Sequence, residues 1–334
     1  MAVVRLGLVG AGGVARLHAE AALDLPDEVR VTAVFDVDAG RAAELAALTS
    51  AAVHDSHLSM LDGSVDALVV CTPHALHLAP AVDAAAAGVH LLMEKPMATS
   101  LADCDTMAAA CSAAGVVLFL GHIQHYLPIT ATARRAVLDG LIGTPVAIVD
   151  RRSTDYRPGH RPAWFFDPEL AGGGAIMNIG AHCIDRVAWL AGGRPARVTA
   201  TLVRRAAVET EGLLQIELDN GVLAAVTVID SALSGIDEIE VLGTAGTMRA
   251  SRAHGVQIAT EQGVRTLLAA RAGMDEHIRT AFRDQLADFA AAVRGERPVA
   301  IGAQVGRDVV ATVLGAYESA RSGKTVEVEL FGQS

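Results

Sequence analysis

The chain has 334 residues, which exceeds the size of a typical single hydrophobic core and fits two packed domains. Its formal net charge is -11, and no run of Lys or Arg is longer than a pair. We therefore expect no extended basic surface and no nucleic-acid partner. The cysteines show no CxxC spacing, which favours reduced thiols over disulfides or a zinc site: Cys71, Cys104, Cys111 and Cys183.

The N-terminus enters a strand pattern directly, and no apolar run reaches the length of a transmembrane helix. We expect a cytoplasmic chain without a membrane partner.

Residues 1–121 alternate short apolar runs with helical patterns. The helices begin near Val14 and Ala39, and further helices follow the third and fourth runs. This alternation is typical of a parallel sheet with crossover helices. The runs are "VVRLGLVG", "RVTAVFDV", "DALVVCT", "HLLMEKP" and "GVVLFLG". The sequence predicts an α/β fold whose N-terminal domain, residues 1–121, has this organisation.

Residues 122–334 follow a different pattern, with a helix over about 175–190 and then a series of alternating runs. These runs are "ARVTATLVRR", "LLQIELDNGVLAAVTVID", "DEIEVLGTAGTMRAS" and "VQIATEQGVRTLL". The Asn220-Gly221 dipeptide between two of them is a strong hairpin signal. We predict a second domain with an antiparallel sheet and two terminal helices, near residues 277–291 and 304–322.

A glycine-rich turn follows the first strand and opens the first helix. Gly10 permits a tight turn, Gly12 lets backbone N–H groups approach a pyrophosphate, and Ala15 allows close packing of helix on strand. The alternative is a purely structural turn. The predicted cofactor-binding residues of this turn are Gly10, Gly12, Gly13, Val14 and Ala15.

Asp36 ends the second strand, at the distance where a carboxylate hydrogen-bonds the ribose 2′-OH of NAD and repels the 2′-phosphate of NADP. The sequence therefore predicts NAD as cofactor. Arg41 nearby leaves NADP as the less favoured choice.

Two stretches, "VVCTPHALHLAPAVDAAAAGVHLLMEKP" and "GGGAIMNIGAHCID", resemble the signature regions of the Gfo/Idh/MocA family, named for glucose-fructose oxidoreductase and inositol dehydrogenase. The resemblance extends to a C-terminal stretch from "FRDQLADFAAAVRGERPV" to "AYESARSGKTVEV". It implies a Rossmann domain followed by a C-terminal α/β domain with a large open, mostly antiparallel sheet used for substrate binding and oligomerisation. The family residues that it places at the cofactor are Thr72, Pro73, His77, Glu94, Lys95 and Pro96.

The resemblance also implies NAD-dependent oxidation of a hydroxyl on a sugar or cyclitol, by a homodimer or homotetramer. Lys95 matches the lysine that hydrogen-bonds the reacting hydroxyl, and His182 matches the acid/base histidine. Such a pair suits the chemistry, because hydride leaves a carbinol carbon readily only when the hydroxyl proton leaves too.

Asn178 and His182 are four residues apart, so we expect both on one helix face, near Asp185. The glycines at 172–174 then allow close approach to cofactor or substrate. The alternative is a buried core histidine beside a flexible loop. Inositol dehydrogenases of the family carry Asp where this chain has Asn178, an amide that binds hydroxyls but carries no charge.

Further candidates surround this helix. His74 and His125 replace residues frequent in the family, and His125 is a candidate substrate contact. Tyr156, Arg157, Arg161 and Trp164 form a loop that either lines the substrate site or packs as a hydrophobic anchor with solvated arginines. A metal site is an alternative interpretation of three histidines, His122, His125 and His182. No Asp or Glu is placed to complete the set of ligands, so we predict no metal.

The leading hypothesis is an NAD-dependent sugar, sugar-derivative or cyclitol dehydrogenase. Two alternatives remain: an NAD-dependent glycosidase-like enzyme that uses transient oxidation, and a non-catalytic NAD-binding regulatory protein.

Overall fold

The computed structural model describes residues 2–231, 235–270 and 274–332. Contacts divide the chain into two compact units. The first unit comprises Met1–Tyr126 and Asp275–Gly306, and the second comprises Leu127–Met274 and Arg307–Ser334. A segment late in the chain thus packs with the N-terminal residues, which the order of the sequence patterns did not indicate. The predicted domain boundary at residues 121 and 122 stays a prediction.

The first unit contains a six-stranded sheet in the order β3-β2-β1-β4-β5-β6, and every pair in it is parallel. This Rossmann topology confirms the predicted fold class. The strands are β1 (Val4–Val9), β2 (Val29–Phe35), β3 (Ala52–Val53), β4 (Ala67–Val70), β5 (His90–Glu94) and β6 (Leu118–Gly121). The strand order reverses between β1 and β4, and ligands of such sheets bind outside the carboxyl ends at that point.

Helices of the first unit connect these strands, and one further helix comes from the late segment. They are α1 (Gly13–Leu23), α2 (Ala39–Thr49), α3 (Leu78–Ala86), α4 (Leu101–Ala114) and α8 (Met274–Val293). Helix α8 packs against the rest of the first unit through two edge-to-face ring pairs, Phe282 on His18 and Phe289 on Phe119. Ring pairs of this geometry stabilise a core beyond the area that they bury.

The second unit contains a nine-stranded sheet in the order β14-β13-β12-β11-β7-β10-β9-β8-β15. Its strands are β7 (Pro145–Thr154), β8 (Pro195–Arg204), β9 (Glu209–Leu218), β10 (Leu223–Asp230), β11 (Asp237–Gly243), β12 (Gly246–Ser251), β13 (Gly255–Thr260), β14 (Gly263–Leu268) and β15 (Val326–Glu327). Only β7 and β10 pair in parallel among these described strands. The predicted mostly antiparallel sheet is confirmed.

The hairpin predicted at Asn220-Gly221 joins β9 and β10, with Gly221 at φ +85°. Along β9, Leu214, Ile216 and Leu218 are buried while the residues between them are exposed. This alternation is expected of a sheet with one covered face. The remaining helices are α5 (Pro128–Leu138), α6 (Pro168–Ala171), α7 (Ala181–Ala191) and α9 (Ala303–Ser322). Within the described residues, no helix has the length and apolar character to cross a membrane.

Candidate active site

The glycine-rich turn joins β1 to α1 and leaves the helix N-terminus open. Gly10 has φ +91°, and a Cβ there would lie 2.8 Å from the carbonyl of Cys71, the residue after β4. Gly12 is the N-cap, with no side-chain cap, and a Cβ at Gly12 or Gly13 would have no atom within 4 Å. The first turn thus has no side-chain cap and an uncrowded N-terminus, an arrangement that suits an anionic group.

Asp36 holds this turn from the end of β2. Its carboxylate accepts hydrogen bonds from the backbone N–H groups of Ala11 at 2.6 Å and Asp38 at 2.8 Å. Arg41 donates to the same carboxylate at 3.1 Å, and the Asp36 side chain is only 9% exposed. The residue predicted to select the cofactor thus also fixes the shape of the glycine turn.

His77 connects two loops of the first unit. Its buried ring places Nε2 3.0 Å from the carbonyl oxygen of Thr72 and Nδ1 3.2 Å from that of Met97. Burial lowers the pKa of His77 although these carbonyls oppose the change, so the neutral ring is favoured. His77, which the sequence places at the cofactor, therefore contacts the backbones of both loops and supports them.

Glu94, at the end of β5, is buried directly beside Lys95. His18 Nε2 donates to its Oε1 at 2.8 Å, and the Lys95 backbone N–H donates to its Oε2 at 3.2 Å. Burial alone would raise the pKa of Glu94, but the hydrogen bond and charge of His18 and the charge of Lys95 lower it below its usual value. The carboxylate is therefore ionised, and Lys95 follows it with a half-buried side chain.

In the second unit, the predicted helix over 175–190 begins with a π-helical turn. Ile176–Gly180 is π-helical and contains Asn178, which is buried, while the half-buried His182 lies in the first turn of α7. A π turn widens the helix locally and is frequent at functional sites. The periodicity of the sequence predicts a regular helix and does not reveal this turn.

A buried carboxylate that the sequence did not identify supports the start of this helix. Glu209 Oε1 accepts hydrogen bonds from Gly174 N at 2.8 Å, Ile176 N at 3.0 Å and the Tyr317 hydroxyl at 2.8 Å. A Cβ at Gly173 would overlap the Tyr317 hydroxyl, and one at Gly174 would overlap the Glu209 carbonyl oxygen. The sequence assigns these glycines to an approach of cofactor or substrate, whereas the structure shows that they accommodate atoms of the chain.

One turn after His182, Arg186 is buried in an ion-pair network. Its guanidinium donates twice to Asp150 of β7 at 2.7 Å and once to Asp237 of β11 at 2.8 Å. Burial opposes the low pKa of Asp237, but the charges of Arg186 and Arg152 bring it to about 2. These contacts fix α7 on the sheet.

The loop that contains the predicted substrate residues is held mainly by its own contacts. Arg157 is exposed and donates to Asp155 at 2.7 Å. Arg161 donates to the Asp155 carbonyl at 2.8 Å and to the Thr154 hydroxyl, and it lies 5.2 Å from the centre of the Tyr156 ring. Tyr156 is fully buried, and the half-buried Trp164 contacts Phe165 at 4.1 Å between ring centres.

The remaining histidine candidates lie in the first unit. His74 and His122 are buried, and His125 is half-buried at the end of a 3-10 turn. Within the part of the chain that the structure describes, no group of three or more His, Cys, Asp or Glu side chains could hold a metal ion.

Comparison with known proteins identifies the family. Residues 4–122 match the model of an oxidoreductase family with an NAD-binding Rossmann fold, and residues 130–249 match the GFO/IDH/MocA C-terminal domain. Inositol 2-dehydrogenase 1 of Saccharopolyspora erythraea is 33% identical over 98% of this chain and 97% of that protein. The chain belongs to the GFO/IDH/MocA oxidoreductase family.

Two further proteins show how far the similarity extends. A 1-carboxy-3-chloro-3,4-dihydroxycyclohexa-1,5-diene dehydrogenase of Comamonas testosteroni is 34% identical over 71% of this chain and 60% of its own length. The crystal structure of GenD2 from gentamicin A biosynthesis, in complex with NAD, is 28% identical with a TM-score of 0.87 over 98% of this chain and 97% of that one. These matches confirm the resemblance found in the sequence.

Proposed function

We propose that this member of the family is an NAD-dependent dehydrogenase that oxidises a secondary hydroxyl of a sugar, sugar derivative or cyclitol to a ketone. The observation that carries the proposal is the N-terminus of α1, which has glycines and no side-chain cap and lies beside the Asp36 carboxylate. The same chain matches an inositol 2-dehydrogenase over nearly its whole length.

The residues of the first unit fit NAD. Gly12 and Gly13 leave open space where the pyrophosphate of a dinucleotide lies in this fold. Asp36, whose side chain is 9% exposed, presents a carboxylate for a ribose diol, and its charge disfavours a 2′-phosphate. When bound, NAD supplies the hydride acceptor. Gly10, Val14, Ala15, Thr72, Pro73 and Pro96 complete the proposed cofactor-binding set.

Three side chains carry the proposed chemistry. Lys95 donates a hydrogen bond to the reacting hydroxyl and stabilises the oxygen as negative charge develops. His182 accepts the hydroxyl proton as general base. Asn178 binds a substrate hydroxyl without adding charge, so proton transfer depends on His182.

The proposed assembly is a cytoplasmic homodimer or homotetramer formed through the open face of the nine-stranded sheet. Leu213, Leu223 and Leu242 are exposed there, and strand register places Leu223 and Leu242 on the same row across β7. Exposed apolar residues that share one face favour association. Light scattering should give a dimer or tetramer mass, and a monomer mass would refute the assembly.

The test of activity is NADH absorbance with purified protein and a panel of inositols, aldoses, sugar acids and amino sugars. Lys95→Ala should abolish turnover while NAD still binds, and His182→Ala should reduce kcat by about 10²-fold or more. Full turnover by the Lys95 variant would contradict its role. Silence of the wild-type protein across the panel, with NAD bound, would instead favour chemistry without net NADH formation.

A further inference from the structure

The π turn and α7 cross the covered face of the nine-stranded sheet. At the start of the π turn, Ile176 packs on Gly212 of β9, where a Cβ would lie 2.6 Å from the Ile176 side chain. Further along, Arg186 donates twice to Asp150 of β7 at 2.7 Å. His182 comes between these two contacts in the helix, so its turn lies over the part of the sheet that runs from β9 through β10 to β7.

Strand register places Arg152 on this covered face. Gly212 is paired with Val228 of β10, and Val228 is paired with Arg152 of β7. Residues directly opposite each other on neighbouring strands share a face of the sheet. Asp150, which the helix contacts, lies two residues before Arg152 and therefore on the same face. The Arg152 side chain thus belongs to the row of residues that begins beneath the π turn.

The Arg152 guanidinium has a donor without an acceptor. The residue is half-buried, and among the described residues its buried Nη1 has no hydrogen-bond partner. Asp237 is the residue opposite Arg152 on β11, but its carboxylate accepts from Arg186 at 2.8 Å and pairs with Arg252 at 3.2 Å. A buried donor without an acceptor costs free energy, so an acceptor that a ligand supplies is bound favourably.

The next position of the same face carries a second arginine. Thr154 lies two residues after Arg152 on β7, and Arg161 donates to its hydroxyl. Asp230 of β10 is paired with Thr154, and its carboxylate accepts from the Tyr156 backbone N–H at 2.8 Å. The carboxylates next to Arg152 along this row are therefore engaged by other groups of the chain.

We propose that the substrate carries a carboxylate and that Arg152 binds it as a specificity-determining residue. The inference rests on the proposed function and names its substrate class as a sugar acid or a carboxylated cyclitol. A guanidinium has parallel N–H groups that match both oxygens of a carboxylate. Asn178 of the π turn is uncharged, so it does not repel such a group.

Equilibrium binding tests this inference without turnover. Calorimetric titrations in the presence of NADH compare three acids with their neutral counterparts: D-glucuronate with D-glucose, D-galacturonate with D-galactose, and D-gluconate with D-glucitol. At least one acid should bind more tightly than its counterpart. In Arg152→Gln the Kd of that acid should rise about 30-fold, the loss expected for a charge-assisted pair, and the Kd of the neutral sugar should stay within about twofold. Binding of no acid, or preference for every neutral sugar, would overturn the proposal.

Arg151→Gln is the matched control, because it removes the same charge from the adjacent residue of β7. The Arg151 side chain is exposed on the opposite face, where it pairs with Glu238. Its Kd for the acid should stay within about twofold of the wild type. Equal weakening in both variants would reflect net charge alone and overturn the proposal, as would an unchanged Kd in Arg152→Gln. If Arg152→Gln does not fold, Arg152→Lys keeps the charge without the parallel donors and should raise the Kd about fivefold; an unchanged Kd there would overturn the proposal.

Binding and turnover together separate this inference from the proposed function. An acid that binds through Arg152 but is not oxidised would retain the carboxylate site and refute the dehydrogenase chemistry. Oxidation of neutral sugars without any preference for an acid would retain the dehydrogenase and refute the carboxylate site.

Discussion

Tyr317→Phe tests the support beneath the helix that contains Asn178 and His182. The Tyr317 hydroxyl is one of three donors to the buried Glu209 carboxylate, and the other two are backbone N–H groups at the start of the π turn. Burial and the Glu209 charge raise the pKa of Tyr317 well above its ordinary value, so the hydroxyl donates at any pH where the protein is folded.

The substitution removes one charge-assisted hydrogen bond and little volume. Such bonds contribute about 1.5–3 kcal/mol when the charged partner is buried. The carboxylate retains its two backbone donors, so we expect a loss of about 2 kcal/mol in the free energy of unfolding of the second unit. With a urea m-value of about 2 kcal/mol per molar, the midpoint should fall by about 1 M.

Tryptophan fluorescence is suited to this measurement, because both tryptophans of the chain, Trp164 and Trp189, lie in the second unit. Thr325→Val is the control, since it removes an exposed hydroxyl pair with Thr199 and should change stability by no more than about 0.5 kcal/mol. Equal midpoints for Tyr317→Phe and this control would refute the proposed support.

Three further changes have defined outcomes. Asp36→Asn should weaken NAD binding about tenfold. It should strengthen NADP binding, because Arg41 is released from the carboxylate. An unchanged ratio of the Kd values for NAD and NADP, measured by fluorescence titration, would contradict this. Gly174→Ala should destabilise the second unit by about 3 kcal/mol, since its methyl meets the Glu209 carbonyl; a wild-type urea midpoint would contradict the clash. The pKa of Asp237 is about 2 in the folded protein. This low pKa contributes about 2 kcal/mol to the free energy of unfolding above pH 4, and the contribution is lost as the pH falls towards 2. Asp237→Asn should remove that stability at pH 7 and flatten the acid dependence of urea unfolding.

The first unit was largely predictable because its strands are continuous apolar runs with turn residues between them. Each run buries both faces of a parallel strand, and the glycine turn and Asp36 follow at fixed distances. The two-residue strand β3 is too short to leave such a pattern. The membership of α8 in this unit was not predictable, because contacts between residues distant in the chain decide it.

The strands of the second unit, and the contacts that hold its helix in place, were harder to predict from the sequence. Strand β7 precedes the helix and mixes apolar with charged residues, so it was missed, and β15 has only two residues. Glu209 carries no sequence signal that separates it from Glu211 and Glu217, which lie on the same strand and are not buried. Its partner Tyr317 is 108 residues away, and only the folded structure brings the two together. The motif residues Asn178 and His182 were found by resemblance, but what holds them in place was not.

Strand β7 also has a consequence for the order of folding. On one side of it, β11 to β14 form a ladder of neighbouring antiparallel strands, and on the other side β8 to β10 form a second. Each ladder closes through short local loops, whereas β7 pairs Ala147 with Leu223 far along the chain. Loop closure over long separations slows folding. We expect the two ladders to form first and β7 to join them last, so substitutions in β7 should slow the final step without affecting the hairpins.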